Sequence, residues 1–192
     1  MKNPFDILFA RSRHVCPWWL CFTFDNPIRK LIHNPDKILS PFVRPGSTAI
    51  DIGPGMGYFT VPLCRLVAEN GRVIAVDIQG KMLAALEKRA QKAGVSRQLT
   101  THLGALEETG IKEEADFVLT FWMVHEVPNQ DHLFKEIRSV LKNGGTYLLV
   151  EPVFHVTKGA FARTVEVALR AELKIKEKPR IALSRSVLFT ST

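Results

Sequence analysis

The chain lacks any apolar run near the roughly 18 residues that a membrane-spanning helix needs, so no such helix is expected. Cysteine is scarce: Cys16, Cys21 and Cys64 are the only three. Met1 to Arg13 is a mixed stretch without a secretory apolar core. Reduced thiols and a cytoplasmic protein are therefore the expectation. His14, Cys16 and Cys21 do not have a zinc spacing, so they are read as packing residues and no metal is expected. Internal repeats, low-complexity tracts, long linkers and RNA-binding signatures are also missing.

What is present fits one globular domain. A chain of 192 residues is long enough for a substantial core, and 46% hydrophobic with 23% charged residues is an ordinary balance. The net charge of +7 and pI of about 9.5 are compatible with nucleic acid, an acidic substrate or a membrane surface. The basic residues are spread out, however. Lys81, Lys88, Arg89 and Lys92 fall on one predicted helix, and Lys174, Lys176, Lys178 and Arg180 lie near the end. A solvated basic surface is the simpler reading.

The most informative segment is Asp51-Ile52-Gly53-Pro54-Gly55-Met56-Gly57. It closes an apolar strand, Thr48 to Ile50, and precedes a helical stretch, Tyr58 to Val67. A strand, a glycine turn and a helix start let backbone approach a ligand closely. A dinucleotide motif would want a third glycine where Tyr58 stands. Instead glycine recurs at every second position, behind a carboxylate. Asp51 disfavours a pyrophosphate and favours a cation, such as the amino group or sulfonium of S-adenosylmethionine (SAM).

Strand and helix signals then alternate, which predicts a mostly parallel α/β sheet. Strands are expected at 72–77, 98–103, 116–121 and 146–150, with two closing strands at 173–176 and 185–189. Helices are expected at 79–93 and 130–141, and from a Thr157 cap to about Ala171. Residues 1–45 are expected to stand outside the 46–192 core as an N-terminal helical cap. Asn26-Pro27 and Asn34-Pro35 each read as a helix start there.

Asp51, Gly53, Gly55 and Gly57 resemble motif I of the class I SAM-dependent methyltransferases of the small-molecule type. The resemblance runs from about Asn34 to the C-terminus. It implies a Rossmann-like seven-stranded sheet flanked by helices, whose last strand is antiparallel and slots between strands five and six. It implies SAM as cofactor and S-adenosylhomocysteine as product. Asp77, ending the second strand, would hold the ribose hydroxyls through its two acceptor oxygens. Ile78 would pack on the adenine, with Met82 below it. Many relatives place an aspartate after strand three to hold the adenine amino group. Here the stretch is Leu103-Gly104-Ala105-Leu106-Glu107, so Ala105 and Leu106 would serve through backbone, or Glu107 would substitute.

Strand four ends in Phe121-Trp122-Met123-Val124-His125-Glu126, at the edge where open α/β sheets bind ligands. Phe121 is expected on the cofactor side, and Trp122 and His125 on the acceptor side. His125 is the candidate general base. No Asn-Pro-Pro-Tyr motif for a flipped base is present. Lys142 to Pro152 resembles the family's turn into strand five, where its role is structural. Trp18 and Trp19 are expected to close over the acceptor. The sequence thus points to methyl transfer onto a small molecule. An RNA or protein acceptor is the alternative, and a non-catalytic SAM-binding interaction subunit is the alternative of another class.

Overall fold

A computed structural model describes residues 31–105 and 108–192. After a short helix α1 (Pro35–Leu39), the chain alternates β1 (Thr48–Ile52), α2 (Thr60–Val67), β2 (Arg72–Asp77), α3 (Gly80–Lys92), β3 (Leu99–Leu103) and β4 (Ala115–Phe121). Then follow α4 (Gln130–Val140), β5 (Leu141–Pro152), α5 (Lys158–Arg170), β6 (Lys174–Glu177) and β7 (Ser184–Thr190). The seven strands form one sheet in the order β3-β2-β1-β4-β5-β7-β6. β1 to β5 run parallel, and β7 is antiparallel to both β5 and β6. The last strand therefore slots between the fifth and sixth, as expected.

The pleat sends alternate residues to opposite faces, and two cores result. Ala49, Phe117, Leu119, Leu148 and Leu188 face α2 and α3, where Leu63, Val67, Leu86 and Ala90 meet them. Ile50, Val118, Leu149, Val187 and Phe189 face α4, whose Phe134 and Ile137 are fully buried, and α5. Central strands covered on both faces read as apolar runs for this reason. The edge strand β6 is exposed along its length and carries Lys174, Lys176 and Glu177, charges that discourage edge-to-edge pairing.

Asn34 caps α1 by accepting from the Lys37 N–H at 3.2 Å, and Thr157 caps α5 by accepting from the Ala160 N–H at 3.1 Å. Of the segment expected as a cap, Leu39 and Val43 are buried in the first core, and Phe42 stacks on Phe117. Asn26-Pro27, Trp18, Trp19 and the cysteines 16 and 21 lie outside the described residues.

One strand departs from the sequence pattern. β5 begins at Leu141, not Thr146: Leu141 pairs with Ala115, the register slips, and pairing resumes at Phe117 with Thr146. The intervening bend needs glycine. Gly144 has φ +76°, and a Cβ on Gly145 would come within 3.0 Å of the Lys142 and Ala115 carbonyls.

Because β4 returns to lie beside β1, the direction of strand succession reverses between them. Loops leaving their carboxyl ends diverge and leave a crevice. The described candidate site residues lie at or after the carboxyl ends of β1 to β4, with Met82 just behind in α3.

Candidate active site

The glycine loop between β1 and α2 is pulled tight at both ends and open in the middle. Gly53 donates its N–H to the Val76 carbonyl at 2.8 Å. A Cβ on Gly53 would lie 2.9 Å from Met123 Cγ, and one on Gly57 would collide with Leu86. A Cβ on Gly55 would meet nothing within 4 Å. All three have positive φ, which only glycine adopts at little cost. The loop is thus shaped so that its crest presents bare backbone.

Behind the loop, Asp51 is 2% exposed and accepts from the Thr60 hydroxyl at 2.7 Å. Burial pushes its pKa from 3.8 up to about 7, against the pull of the Thr60 bond and with a smaller push from Asp77. Asp77 is also mostly buried, and its carboxylate accepts from the Gln79 N–H at 2.9 Å. Burial raises its pKa, while the backbone N–H groups of Gln79, Gly55 and Ile78 draw it back. A carboxylate has about four acceptor positions, so capacity for a further hydroxyl remains.

Beside Asp77 lie two exposed apolar side chains, Ile78 at 37% and Leu103 at 62%. A buried acid flanked by bare apolar surface suits a group with hydroxyls on one edge and a flat apolar face. Met82 is buried beneath, and Ala105 is exposed beyond β3. Leu106 and Glu107 lie outside the described residues. Phe121 is buried, its ring stacked on Phe59 at 4.0 Å.

After β4 the chain turns sharply. Trp122 has φ +61°, a conformation that costs a non-glycine residue about 1–3 kcal/mol. Its N–H donates to the Val150 carbonyl at 2.8 Å, and its indole N–H donates to Ser184 Oγ at 3.0 Å. The turn brings residues 124–126 over the end of β5. There Glu151, 1% exposed, accepts from the Val124 N–H at 3.0 Å and the His125 N–H at 3.2 Å. Its Oε2 lies 2.6 Å from His125 Nδ1. Burial lowers the His125 pKa, but the hydrogen bond and charge of Glu151, with Glu126 adding, raise it on balance.

The sequence did not single out Glu151, nor the apolar rim beside it. Phe154 is 55% exposed and sits edge-on to Trp122, with Leu183 and Val153 also exposed. His33 is buried edge-on to Phe121 and Trp122, and its Nε2 donates to the Ala182 carbonyl at 2.7 Å. His33, just before α1, therefore packs behind the turn that follows β4. Among the described residues no group of three or more His, Cys, Asp or Glu is placed to hold a metal ion, and no helix is long and apolar enough to cross a membrane.

The sequence profile of a family described as methyltransferase domain matches residues 50–149. The chain belongs to that family. This methyltransferase domain is 30% identical over 109 residues to a demethylmenaquinone methyltransferase of Bacillus cytotoxicus, across 57% of this chain and 46% of that one. It thus spans about half the length of the curated relatives it matches. Among solved structures, a SAM-dependent methyltransferase from Aquifex aeolicus superposes with a TM-score of 0.83 at 18% identity, over 93% of this chain and all of that one. Aeropyrum pernix fibrillarin, solved with bound SAM, superposes with a TM-score of 0.63 at 15% identity, over 78% of this chain and 68% of that one. At such identities the likeness concerns the fold, which is the seven-stranded Rossmann-like sheet.

Proposed function

We propose that this domain transfers a methyl group from SAM to a small-molecule acceptor. The observation that carries the reading is the crevice between β1 and β4. It joins a glycine loop with bare backbone at Gly55 to two buried acids, Asp51 and Asp77. SAM supplies the electrophilic methyl, on a sulfonium whose positive charge is lost as the methyl leaves. The chain's own residues bind, orient and exclude water.

Asp77 takes the ribose hydroxyls, and Ile78 and Leu103 cover the adenine. Met82 and Phe121 support this half from below, and the backbone around Ala105 borders it. The Gly53–Gly57 loop admits the amino-acid part. Asp51, ionised, provides a negative charge for the cationic groups.

On the far side of the crevice, Trp122, Phe154 and Leu183 form a partly apolar wall for the acceptor, with His125 as its base. Trp18 and Trp19, outside the described residues, are kept in the same proposal as further acceptor contacts on their aromatic character. The Bacillus relatives are named for demethylmenaquinone, so quinone-type compounds are the first acceptors to try. The net charge of +7 supports RNA as the second reading. A cytoplasmic location belongs to the same proposal, and the buried free thiol of Cys64 supports it.

A screen with methyl-labelled SAM tests the reading. Label passing to an isoprenoid hydroquinone or another small phenol supports it. Label passing only to RNA or protein replaces the acceptor class. Binding of SAM with no transfer to any class favours a non-catalytic subunit.

A further inference from the structure

We propose that Glu151 is a positioning residue for methyl transfer, holding His125 with its proton on Nδ1 so that Nε2 is the base. This rests on the reading of His125 as the base that takes the acceptor's proton.

The geometry has three parts. First, Glu151 follows the buried run Tyr147, Leu148, Leu149 and Val150 near the end of β5, and it is 1% exposed. A buried carboxylate without partners would cost far more than an apolar residue there. Second, its partners all come from one turn: the N–H groups of Val124 and His125 and the ring Nδ1 of His125, at 2.6–3.2 Å. The carboxylate fixes both the backbone that carries the histidine and the orientation of the ring. Third, the ring is still 26% exposed. An ionised carboxylate only accepts, so Nδ1 must carry the proton. In the neutral ring the lone pair then falls on Nε2.

Three titratable groups face the ring. Glu151 lies on Nδ1, Glu126 Oε1 is 4.0 Å from Nε2, and the exposed His155 stacks nearly parallel at 6.0 Å between ring centres. The first two are acidic, and both favour the imidazolium. That suits a base that must hold a proton at the moment the methyl moves. The acceptor's O–H or S–H proton passes to Nε2. The nucleophile's freed electron pair forms the bond to the methyl carbon, and the carbon–sulfur pair returns to sulfur. The imidazolium then loses its proton to water, which restores the starting tautomer.

Long-range nitrogen–proton NMR on the full chain reads the ring directly, without an acceptor. We expect neutral His125 as the Nδ1–H tautomer, titrating above the ordinary value of 6.5. In Glu151→Gln the titration should move to lower pH. With the acceptor found, Glu151→Gln should lower kcat by more than about tenfold and by less than His125→Ala, for which about 10²–10⁴-fold is typical. It should add nothing in the His125→Ala background. An Nε2–H tautomer in the unmutated chain overturns the proposal. So does an unchanged titration in Glu151→Gln, or a further loss of rate on top of His125→Ala. Calorimetry with SAM on the same samples keeps the two readings apart: an intact Nδ1–H histidine in a chain that does not bind SAM defeats methyl transfer and leaves the pairing standing.

Discussion

Asp51 and Thr60 are joined by a 2.7 Å hydrogen bond inside the fold, under the glycine loop. The hydroxyl draws the Asp51 pKa down, and burial still lifts it to about 7. A buried acid whose ionised form is this disfavoured fits the proposed role of Asp51 beside the cationic groups of SAM.

The first prediction concerns pH. Between the ordinary carboxyl pKa of 3.8 and about 7, the cofactor-free protein holds a proton on Asp51 that the unfolded chain has released. Its stability should therefore fall as pH rises through that window, and level off above it. Under the proposed role of Asp51, SAM takes the ionised form, so its affinity should rise with pH up to about 7 and then flatten. Asp51→Asn should stabilise the cofactor-free protein at pH 8 by about 1–4 kcal/mol and weaken the pH dependence of what binding is left, leaving the share due to Asp77. Urea denaturation and calorimetry across pH 5–9 check both halves.

The second separates two glycines of one motif. Gly55→Ala has strain at φ +55° but no collision, so it should cost about 1–2 kcal/mol of stability and still fold. Its loss should be in SAM affinity, because the methyl group occupies the open crest. Gly57→Ala meets Leu86 and should cost a further 1–3 kcal/mol or so from overpacking. Thermal melts with and without SAM distinguish the two, and equal losses of stability would contradict this account of the loop.

The third places the ribose. Asp77→Ala should weaken SAM binding by about 1–3 kcal/mol, the range for losing a charged hydrogen-bond partner. Unchanged affinity would remove Asp77 from the site.

The architecture was legible in the sequence because each element carried its own signal. β2 was bounded correctly at Arg72 and Asp77, α3 within a residue at each end, and the final antiparallel strand followed from the family resemblance. β5 was missed at its start because Leu141 closes a helical apolar pattern and opens a strand at once. Only the pairing with Ala115 decides it. The sequence singled out Asp51 because it precedes the glycines, and Asp77 because it ends β2 20 residues after Gly57. Glu151 was not singled out, although it too ends a strand. Its contacts with residues 124 and 125 depend on a turn in which Trp122 adopts φ +61°, and no local pattern predicts a left-handed tryptophan. The exposed rim of Phe154 and Leu183 depends likewise on where two distant loops meet.

The central claim is that the crevice between β1 and β4 is a SAM site, and calorimetry of the purified chain at pH 8 tests it most directly. The account predicts saturable one-to-one binding of SAM and of S-adenosylhomocysteine, weakened by Asp77→Ala, with no binding of NAD. Binding of NAD without binding of SAM would contradict it.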